Sequence, residues 1–92
     1  MYYVYLLECA DKSIYTGITT DVKRRFAEHV AGTASHYTSA KKAKRILYTE
    51  KLGARGAALK REAEIKRWTR AQKLGLAHST RKMLHLGASG TI

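Results

Sequence analysis

The alternation of apolar and polar residues predicts that the chain begins with two paired strands. Residues 3–7 are apolar on both alternating faces, which is typical of a strand covered on two sides. Residues 10–13 supply turn-forming side chains, and residues 14–19 resume a run rich in β-branched residues. Because the intervening turn is so short, we expect the two runs to pair as an antiparallel hairpin.

Capping residues predict a helix directly after this hairpin. Thr20 or Asp21 can cap its start, and Gly32 can end it after about Ala31. Further along, residues 46–50 alternate apolar and polar side chains in a β-prone run. This run is predicted to form a third strand.

Apolar spacing predicts which side of the first helix faces the sheet. Its inward stripe should contain Val22, Phe26 and Val30. His29 follows Val22 by seven residues and falls within this stripe, while Arg25 lies one turn before His29 on the same side. The arginine, the histidine and the tyrosines of the hairpin are therefore able to converge on one spot.

The segment after the third strand is predicted to be helical. Residues 53–56 turn the chain into a long helix over about residues 57–73, and residues 70–76 either continue it or form a short separate helix. The predicted fold is α+β, a small, mainly antiparallel three-stranded sheet flanked by helices in the order ββαβαα. We expect residues 1–76 to form the domain and residues 77–92, which show no sustained period, to form a flexible tail.

Composition adds constraints on size and location. A chain of 92 residues is long enough for one domain with a modest core. Its single cysteine, Cys9, has no internal partner for a disulfide, which favours a reducing cytoplasm. An apolar run of about 18 residues is absent, as is a signal-peptide pattern at the start. We therefore expect a cytoplasmic location without a membrane segment, and by default a monomer without an obligate protein partner.

Positive charge is concentrated in the second half of the chain. Residues 1–40 hold four basic and four acidic side chains, whereas residues 41–92 hold fourteen basic and three acidic ones, which accounts for the net charge of +11. Such a one-sided excess favours a nucleic-acid partner over a merely solvated face. An anionic membrane surface is the weaker alternative, because the basic helix lacks a broad apolar face. The candidate nucleic-acid-binding cations are Lys41, Lys42, Lys44, Arg45, Lys66, Arg67, Arg70 and Lys73.

Helical geometry separates the two acidic residues of the long helix. At about 100° per residue, Ala58, Leu59 and Ile65 all lie within about 60° of Glu62. Glu64 points to the opposite side. Because an unpaired inward carboxylate is costly, Glu62 either pairs with Lys66 one turn later or faces a cleft and holds a hard divalent cation. The pattern alone leaves both readings open.

Three short motifs at a specific spacing resemble one nuclease superfamily. They are Tyr3-Val4-Tyr5, then Tyr15-Thr16-Gly17, then Arg25 eight residues after that glycine. Together they resemble the GIY-YIG nuclease domain, above all its small single-domain members, over roughly the first three-quarters of the chain. The segments Arg25–Gly32 and Ala58–Glu62 fit the same pattern. Two departures are Tyr3 in place of the first glycine of the name motif and the absence of an asparagine after the metal-site helix.

The resemblance implies a metal-dependent endonuclease that acts on nucleic acid, DNA rather than RNA, in DNA repair or processing. It implies that Glu62 holds one Mg²⁺ or Mn²⁺ and that Arg25 holds the phosphate, a task suited to a planar fork of donors. Tyr15 would take the proton from the attacking water, while Tyr5 and His29 would orient this water or share protons. Gly17 is a candidate contact for nucleic acid, because glycine in a strand permits close approach to the backbone.

Two other functions remain as alternatives. One is a non-catalytic basic module that binds nucleic acid, and the other is a basic scaffold for a protein partner. A pure binder does not need an acid on the inward face of a helix, which disfavours the first. Trp68 is expected to pack in the core rather than stack on bases. His36 and Tyr37, in the polar loop of residues 33–39, either touch a substrate or have no such role.

Overall fold

The computed structural model describes residues 1–34 and 40–78, which form a three-stranded sheet with helices packed on its two sides. The strands are β1 (Tyr2–Cys9), β2 (Ile14–Thr19) and β3 (Ala43–Leu52). The helices are α1 (Val22–Ala31), α2 (Arg55–Lys66) and α3, which includes residues 70–78. The element order and the antiparallel pairing confirm the predicted α+β fold, although β3 is longer than the predicted run.

Strand β1 lies in the middle of the sheet, with β2 on one side and β3 on the other. Cross-strand partners share a face, so Tyr5 lies on the same face as Gly17 and Thr49. Val4 and its partner Glu50 lie on the opposite face, because successive strand residues alternate. We call the face of Tyr5 the aromatic side and the face of Val4 the aliphatic side.

The main hydrophobic core lies on the aliphatic side, between the sheet and α2. Val4, Leu6 and Ile14 pack against Ala58 and Ile65 of α2. All but Ile14 are fully buried. The apolar alternation of β1 thus supplies one layer of this core, and the helical spacing of two α2 residues supplies the other.

Helix α1 has well-defined caps at both ends, as predicted. The Asp21 carboxylate accepts a hydrogen bond from the Arg24 amide at 3.0 Å, and Gly32 ends the helix in the left-handed conformation with φ 81°. The inward position predicted for Val30 is wrong, since 58% of this residue is exposed. The helix buries the adjacent His29 instead, and successive helical side chains point about 100° apart.

The single long helix predicted over residues 57–73 is wrong, because residues 67–69 separate α2 from α3. Thr69 and Gln72 explain the new start. The Gln72 amide donates to Thr69 Oγ1 at 3.2 Å, and the Thr69 amide donates to Gln72 Oε1 at 2.8 Å. This reciprocal pair is a capping box, which begins a helix. Trp68, in the connection, packs against the aliphatic core, as predicted.

Helix α3 runs past residue 76, where the sequence places the end of the domain. Residues 77 and 78 are helical, and Ala77 is only 4% exposed. The remainder of the predicted tail, residues 79–92, lies outside the described residues, as do His36 and Tyr37. Within residues 1–34 and 40–78, no helix combines the length and the apolar character needed to cross a membrane.

Candidate active site

The candidate site is built on the aromatic side of the sheet, where Tyr5 lies across Gly17. These residues are direct partners in the ladder between β1 and β2. A Cβ atom on Gly17 would lie 2.5 Å from Oη of Tyr5 and 3.0 Å from Cε2 of Tyr15. The close approach expected at this glycine is therefore made by two tyrosine rings. A contact of the buried Gly17 with nucleic acid stays a prediction.

His29 reaches the same spot from α1. It is 1% exposed, and its Nε2 lies 2.8 Å from Oη of Tyr5, which is itself 2% exposed. The His29 ring centroid lies 4.9 Å from that of Tyr15 and 5.6 Å from that of Tyr5. The two tyrosine centroids are 6.2 Å apart. The structure thus brings the three predicted ring side chains into one cluster.

The Tyr5–His29 pair is electrically neutral at physiological pH. Burial, with Tyr15 as a second cause, raises the pKa of the Tyr5 phenol, although the charge of Arg25 opposes this. Burial, followed by the positive charge of Arg25, lowers the pKa of the His29 imidazole. Both rings therefore carry no net charge. Which of them donates in the hydrogen bond between Oη and Nε2 depends on the tautomer of His29.

Arg25 lies one helical turn before His29 and is much more exposed. Its Nη1 donates to Oε1 of Glu28 at 3.0 Å, and both side chains are 40% exposed. The Arg25 charge also acts on the pKa of Tyr5 and of His29, which places the guanidinium beside the buried pair. An exposed ion pair of this kind contributes about 0–1 kcal/mol. A phosphate can therefore replace Glu28 as the partner of Arg25 at little cost.

Glu62 approaches the cluster from α2. Its side chain is 18% exposed, whereas that of Glu64 is 57% exposed, so the sequence assigned the inward and outward carboxylates correctly. The negative charge of Glu62 helps to raise the pKa of Tyr5, which places the carboxylate within electrostatic range of the phenol. Its Oε2 lies 3.4 Å from Nζ of Lys66. The ion pair considered from the sequence therefore forms, at a long distance and with an exposed lysine.

The donor set around Glu62 is compatible with one hard divalent cation. In the described part of the chain, no three His, Cys, Asp or Glu side chains lie together in a metal-binding group. This excludes a site of the structural zinc type there. Mg²⁺ commonly binds through only one or two carboxylates and completes its shell with water and substrate phosphate. Glu62 supplies such a carboxylate, which is largely buried on α2 and within electrostatic range of Tyr5.

Basic side chains from three segments gather around the hairpin turn at residues 10–13. The contacts are Lys41 Nζ to Asp11 Oδ2 at 2.8 Å, Arg45 Nε to Glu8 Oε1 at 2.8 Å and Arg70 Nε to the Lys12 carbonyl at 2.7 Å. We call the four cations Lys12, Lys41, Arg45 and Arg70 the turn cluster. Two carboxylates take part in these contacts against four cations, so the turn cluster keeps a positive excess.

A second group of cations consists of Lys66, which pairs with Glu62, and Lys73. Burial lowers the pKa of Lys73, and the charge of Lys66 lowers it further, so the two ammonium groups are neighbours. The other predicted cations, Lys42, Lys44 and Arg67, are exposed. The predicted basic residues therefore do not form one continuous patch along a helix. The structure divides them between the turn cluster and the surroundings of Glu62.

Sequence reasoning missed three residues that surround Glu62 and the turn. Lys12 lies in the predicted turn, and this position was a sufficient signal to include it among the candidate cations. Arg61 and Glu50 form an ion pair in which Nε and Nη2 donate to the two carboxylate oxygens at 2.9 and 3.1 Å. This pair joins β3 to α2 and depends on how the helix is placed on the sheet. No local spacing in the sequence reveals it.

Comparison with known families and sequences identifies proteins related to this chain. The family model described as the GIY-YIG catalytic domain matches residues 1–75. A UPF0213 protein of Cupriavidus necator is 53% identical over 72 residues, which is 78% of each chain. A UPF0213 protein of Haloquadratum walsbyi is 49% identical over 76 residues, covering 83% of this chain and 85% of that protein. The similarity thus spans the strands and helices that carry the candidate site.

Two solution NMR structures are similar to this one. A UPF0213 protein from Bacillus halodurans is 39% identical, covers 85% of this chain and 84% of its own, and has a TM-score of 0.54. A protein from E. faecalis is 41% identical, covers 92% of this chain and 86% of its own, and has a TM-score of 0.57. These similarities agree with the fold at the level of element order.

Proposed function

Since this chain belongs to the GIY-YIG catalytic domain family, whose fold is of the nuclease type, we propose that it is a metal-dependent endonuclease. It hydrolyses phosphodiester bonds in nucleic acid, with DNA preferred over RNA, in the cytoplasm and in DNA repair or processing. The convergence of a neutral tyrosine–histidine pair, an exposed arginine and an inward carboxylate carries this proposal.

Arg25 is the proposed phosphate-binding group. In the reaction a water oxygen forms a bond to phosphorus, and the bond from phosphorus to one ester oxygen breaks. Negative charge grows on the phosphoryl oxygens as this happens, and fixed donors aimed at such charge lower the barrier. The Arg25 guanidinium is exposed, carries a weak ion pair and lies beside the buried cluster. It is therefore available to a phosphate that enters on the aromatic side.

The three ring side chains are proposed to handle the proton of the attacking water. Tyr15 is only half-buried, and it is the group that takes this proton, either as the phenolate or by passing its own phenol proton on in the same step. Tyr5 keeps its own proton at neutral pH, and it orients the water or shares protons with His29. Because burial holds His29 neutral, one nitrogen of its ring carries no proton and can accept one.

Glu62 is the proposed ligand of the divalent cation, Mg²⁺ or Mn²⁺. When bound, the cation supplies Lewis-acid stabilisation of charge on the phosphate. The family commonly uses divalent metal ions, and an inward carboxylate on α2 suits this role. Lys66, which pairs with Glu62 in this structure, is then released towards the nucleic acid.

Nucleic acid is proposed to bind through the basic residues on either side of the ring cluster. The turn cluster lies at one end of the β1–β2 hairpin, Lys66 lies beside Glu62, and Lys73 is within electrostatic range of Lys66. Together with Lys42, Lys44 and Arg67 they supply phosphate contacts without base readout. Affinity should therefore fall steeply as salt concentration rises.

The test is cleavage of a panel of labelled DNA and RNA structures with Mg²⁺, Mn²⁺ or EDTA. The proteins compared are the wild type, Glu62→Ala and the matched control Lys60→Ala, a change at an exposed residue on the same helix. We expect metal-dependent product from the wild type and the control, and a loss of about 1,000-fold or more in Glu62→Ala, since several kcal/mol of charge stabilisation are removed. Binding of the substrate should persist in Glu62→Ala.

Each alternative predicts a different result in the same panel. Unchanged cleavage by Glu62→Ala would overturn the proposed role of the carboxylate. Salt-sensitive binding without cut strands on any substrate would establish a non-catalytic nucleic-acid-binding module. Little affinity for DNA or RNA at physiological salt would instead indicate a basic scaffold for a protein partner.

A further inference from the structure

Helix α2 carries Glu62, but few of the interactions described so far fix the orientation of this helix on the sheet. Ala58 and Ile65 are its only fully buried residues, and Leu59 is 37% exposed. The residue at its N-cap, Ala54, makes no side-chain cap hydrogen bond. One small and one medium-sized side chain form a narrow contact stripe, which resists rotation about the helix axis only weakly. Another interaction must therefore fix this rotation.

The ion pair between Arg61 and Glu50 supplies such an interaction. Arg61 donates from Nε and Nη2 to the two carboxylate oxygens of Glu50, at 2.9 and 3.1 Å. The Tyr48 hydroxyl donates to Oε1 of Glu50 at 2.6 Å, which holds the carboxylate from the strand side. Arg61 also donates from Nη1 to Glu64 at 2.7 Å, and its guanidinium carbon lies 5.4 Å from the centroid of a Trp68 ring.

This ion pair is better shielded and better oriented than an ordinary surface pair. The Arg61 and Glu50 side chains are 25% and 22% exposed. A guanidinium that binds a carboxylate through two parallel hydrogen bonds has a fixed direction as well as a favourable energy. The pair therefore defines an angle between α2 and β3, in addition to a distance.

Arg61 and Glu62 lie on opposite flanks of the buried stripe. At about 100° per residue, each side chain is about 50° from the midline between Ala58 and Ile65. Rotation that loosens Arg61 from Glu50 therefore also moves Glu62 relative to the tyrosines. With a helix radius of about 5–6 Å including side chains, a rotation of about 10° moves a carboxylate by about 1 Å. Misplacement by about 1 Å can cost a hundredfold in catalysis.

We propose that Arg61 is a positioning residue which, through its two hydrogen bonds to Glu50, sets the rotation of α2 and so places Glu62 for the divalent cation. This inference rests on the proposed function, because it takes Glu62 as the metal ligand. The anchor Glu50 follows Thr49, the β3 partner of Tyr5. The ion pair thereby fixes the position of Glu62 relative to the part of the sheet that carries Tyr5.

The test measures Mn²⁺ binding to the protein without nucleic acid, by electron paramagnetic resonance of free Mn²⁺. The variants are Glu50→Gln, Arg61→Gln, their combination, and Arg61→Lys, which keeps the charge but loses the fork. We expect each single neutral variant to weaken Mn²⁺ binding by about 10–100-fold, as for other groups that orient a metal ligand. The double variant should bind Mn²⁺ no more weakly than the weaker-binding single variant, because both changes break the same ion pair.

Cleavage at varied Mn²⁺ concentration supplies a readout that a merely structural role would not give. Saturating Mn²⁺ should restore most of the rate in Arg61→Gln, because the ring cluster and Arg25 are unchanged. Far-ultraviolet circular dichroism checks that each variant is folded. Arg61→Lys is the milder change, and it keeps the inference testable if the neutral variants unfold. Lys60→Gln, an exposed neighbour on α2, is the matched control.

The outcomes separate this inference from the proposed function. Wild-type Mn²⁺ affinity in folded Arg61→Gln and Arg61→Lys would overturn the positioning role while leaving Glu62 as the ligand. An equal loss in Lys60→Gln would also overturn it, since any change on α2 would then act alike. A wild-type protein that binds no more Mn²⁺ than Glu62→Ala and also shows no metal-dependent cleavage would overturn both proposals together.

Discussion

Helices α1 and α2 both deliver charged side chains to the candidate site, but they are fixed to the sheet in different ways. α1 has a capping side chain at Asp21 and a left-handed glycine at Gly32. It buries His29, which is hydrogen-bonded to β1 through Tyr5. α2 lacks a capping side chain, and its functional residue lies beside the buried stripe rather than within it.

The difference shows two ways of holding a functional group. On α1 the polar group is itself a packing residue, so that the same side chain supports the helix and takes part in the proposed chemistry. On α2 the packing residues and the metal ligand are separate, and a third residue, Arg61, connects the helix to β3. We therefore expect substitutions in the α1 half to damage stability and activity together. In the α2 half, the two properties should separate.

Among the substitutions in the α1 half, the largest effect is expected at Arg25, whose side chain is 40% exposed. Arg25→Ala should lower cleavage by about 100–1,000-fold, the cost of removing one donor aimed at developing charge. Arg25→Lys should recover only part of this, because an ammonium lacks the planar fork. Single-turnover cleavage measures the loss, with the exposed Arg24→Ala on the same helix as control. Unchanged cleavage by Arg25→Ala would contradict the proposed mechanism.

A substitution at Gly17 should destabilise the packing around Tyr5 in the α1 half of the molecule. The added methyl group in Gly17→Ala must displace the buried Tyr5 ring, so we expect a loss of about 1–3 kcal/mol in the free energy of unfolding. Gly56→Ala in α2 is the matched control, because no atom lies within 4 Å of the added Cβ. This control should be stabilising by about 0.5–1 kcal/mol. Denaturant unfolding measures both, and equal stabilities for the two variants would refute the packing argument.

The buried histidine should make stability depend on pH. The folded-state pKa of His29 is lowered, first by burial and second by Arg25, so the unfolded chain binds its proton more readily. This contribution to the free energy of unfolding is fully present above the unfolded pKa of about 6.5, and it is lost as pH falls through the folded pKa. Denaturant unfolding measured between pH 8 and pH 5 should show this loss in the free energy of unfolding as pH falls.

A variant separates the two causes of this lowered pKa. In Arg25→Gln the pKa of His29 should move only part of the way back, because burial remains. Proton NMR titration of the imidazole measures this shift directly. If the pKa returned to its ordinary value in Arg25→Gln, burial would not be the leading cause.

The smallest effects should come from the helix caps, and they sharpen the contrast between α1 and α2. Asp21→Ala removes the cap of α1 and should cost about 1 kcal/mol. Ala54→Ser adds a cap to α2, where the backbone is already extended with φ −132° and ψ 152°, and should be stabilising by about 0.5–1 kcal/mol. Thermal unfolding measures both. Mn²⁺ affinity should stay unchanged in Ala54→Ser, since Arg61, and not the cap, sets the rotation of the helix.

Local chemistry allowed most of the fold to be predicted. Turn residues, alternation and capping side chains identify the hairpin and both ends of α1, because each depends on residues close in sequence. The break before α3 could also have been predicted, since Thr69 and Gln72 have the spacing of a capping box. It was missed because the apolar and basic pattern continues across residues 67–69.

The site was predictable only where periodicity decides which way a side chain points. Helical spacing correctly turned Glu62 inward and Glu64 outward. It was right about His29, which its spacing to Val22 placed in the inward stripe, and wrong about Val30, because the stripe that α1 buries is centred on His29. The pairing of Arg61 with Glu50 depends on the packing of α2 across β3, which sequence spacing does not contain.

The central position of β1 has a consequence for changes in chain length. Odd-numbered residues of this strand, such as Tyr5, face α1, and even-numbered residues, such as Val4 and Leu6, face α2. A one-residue deletion within β1 would exchange these assignments along the remainder of the strand, so that core and site would be lost at once. The hairpin turn at residues 10–13 bears no such constraint. Natural variation in length is therefore expected to collect in the turn, and β1 should keep a constant number of residues.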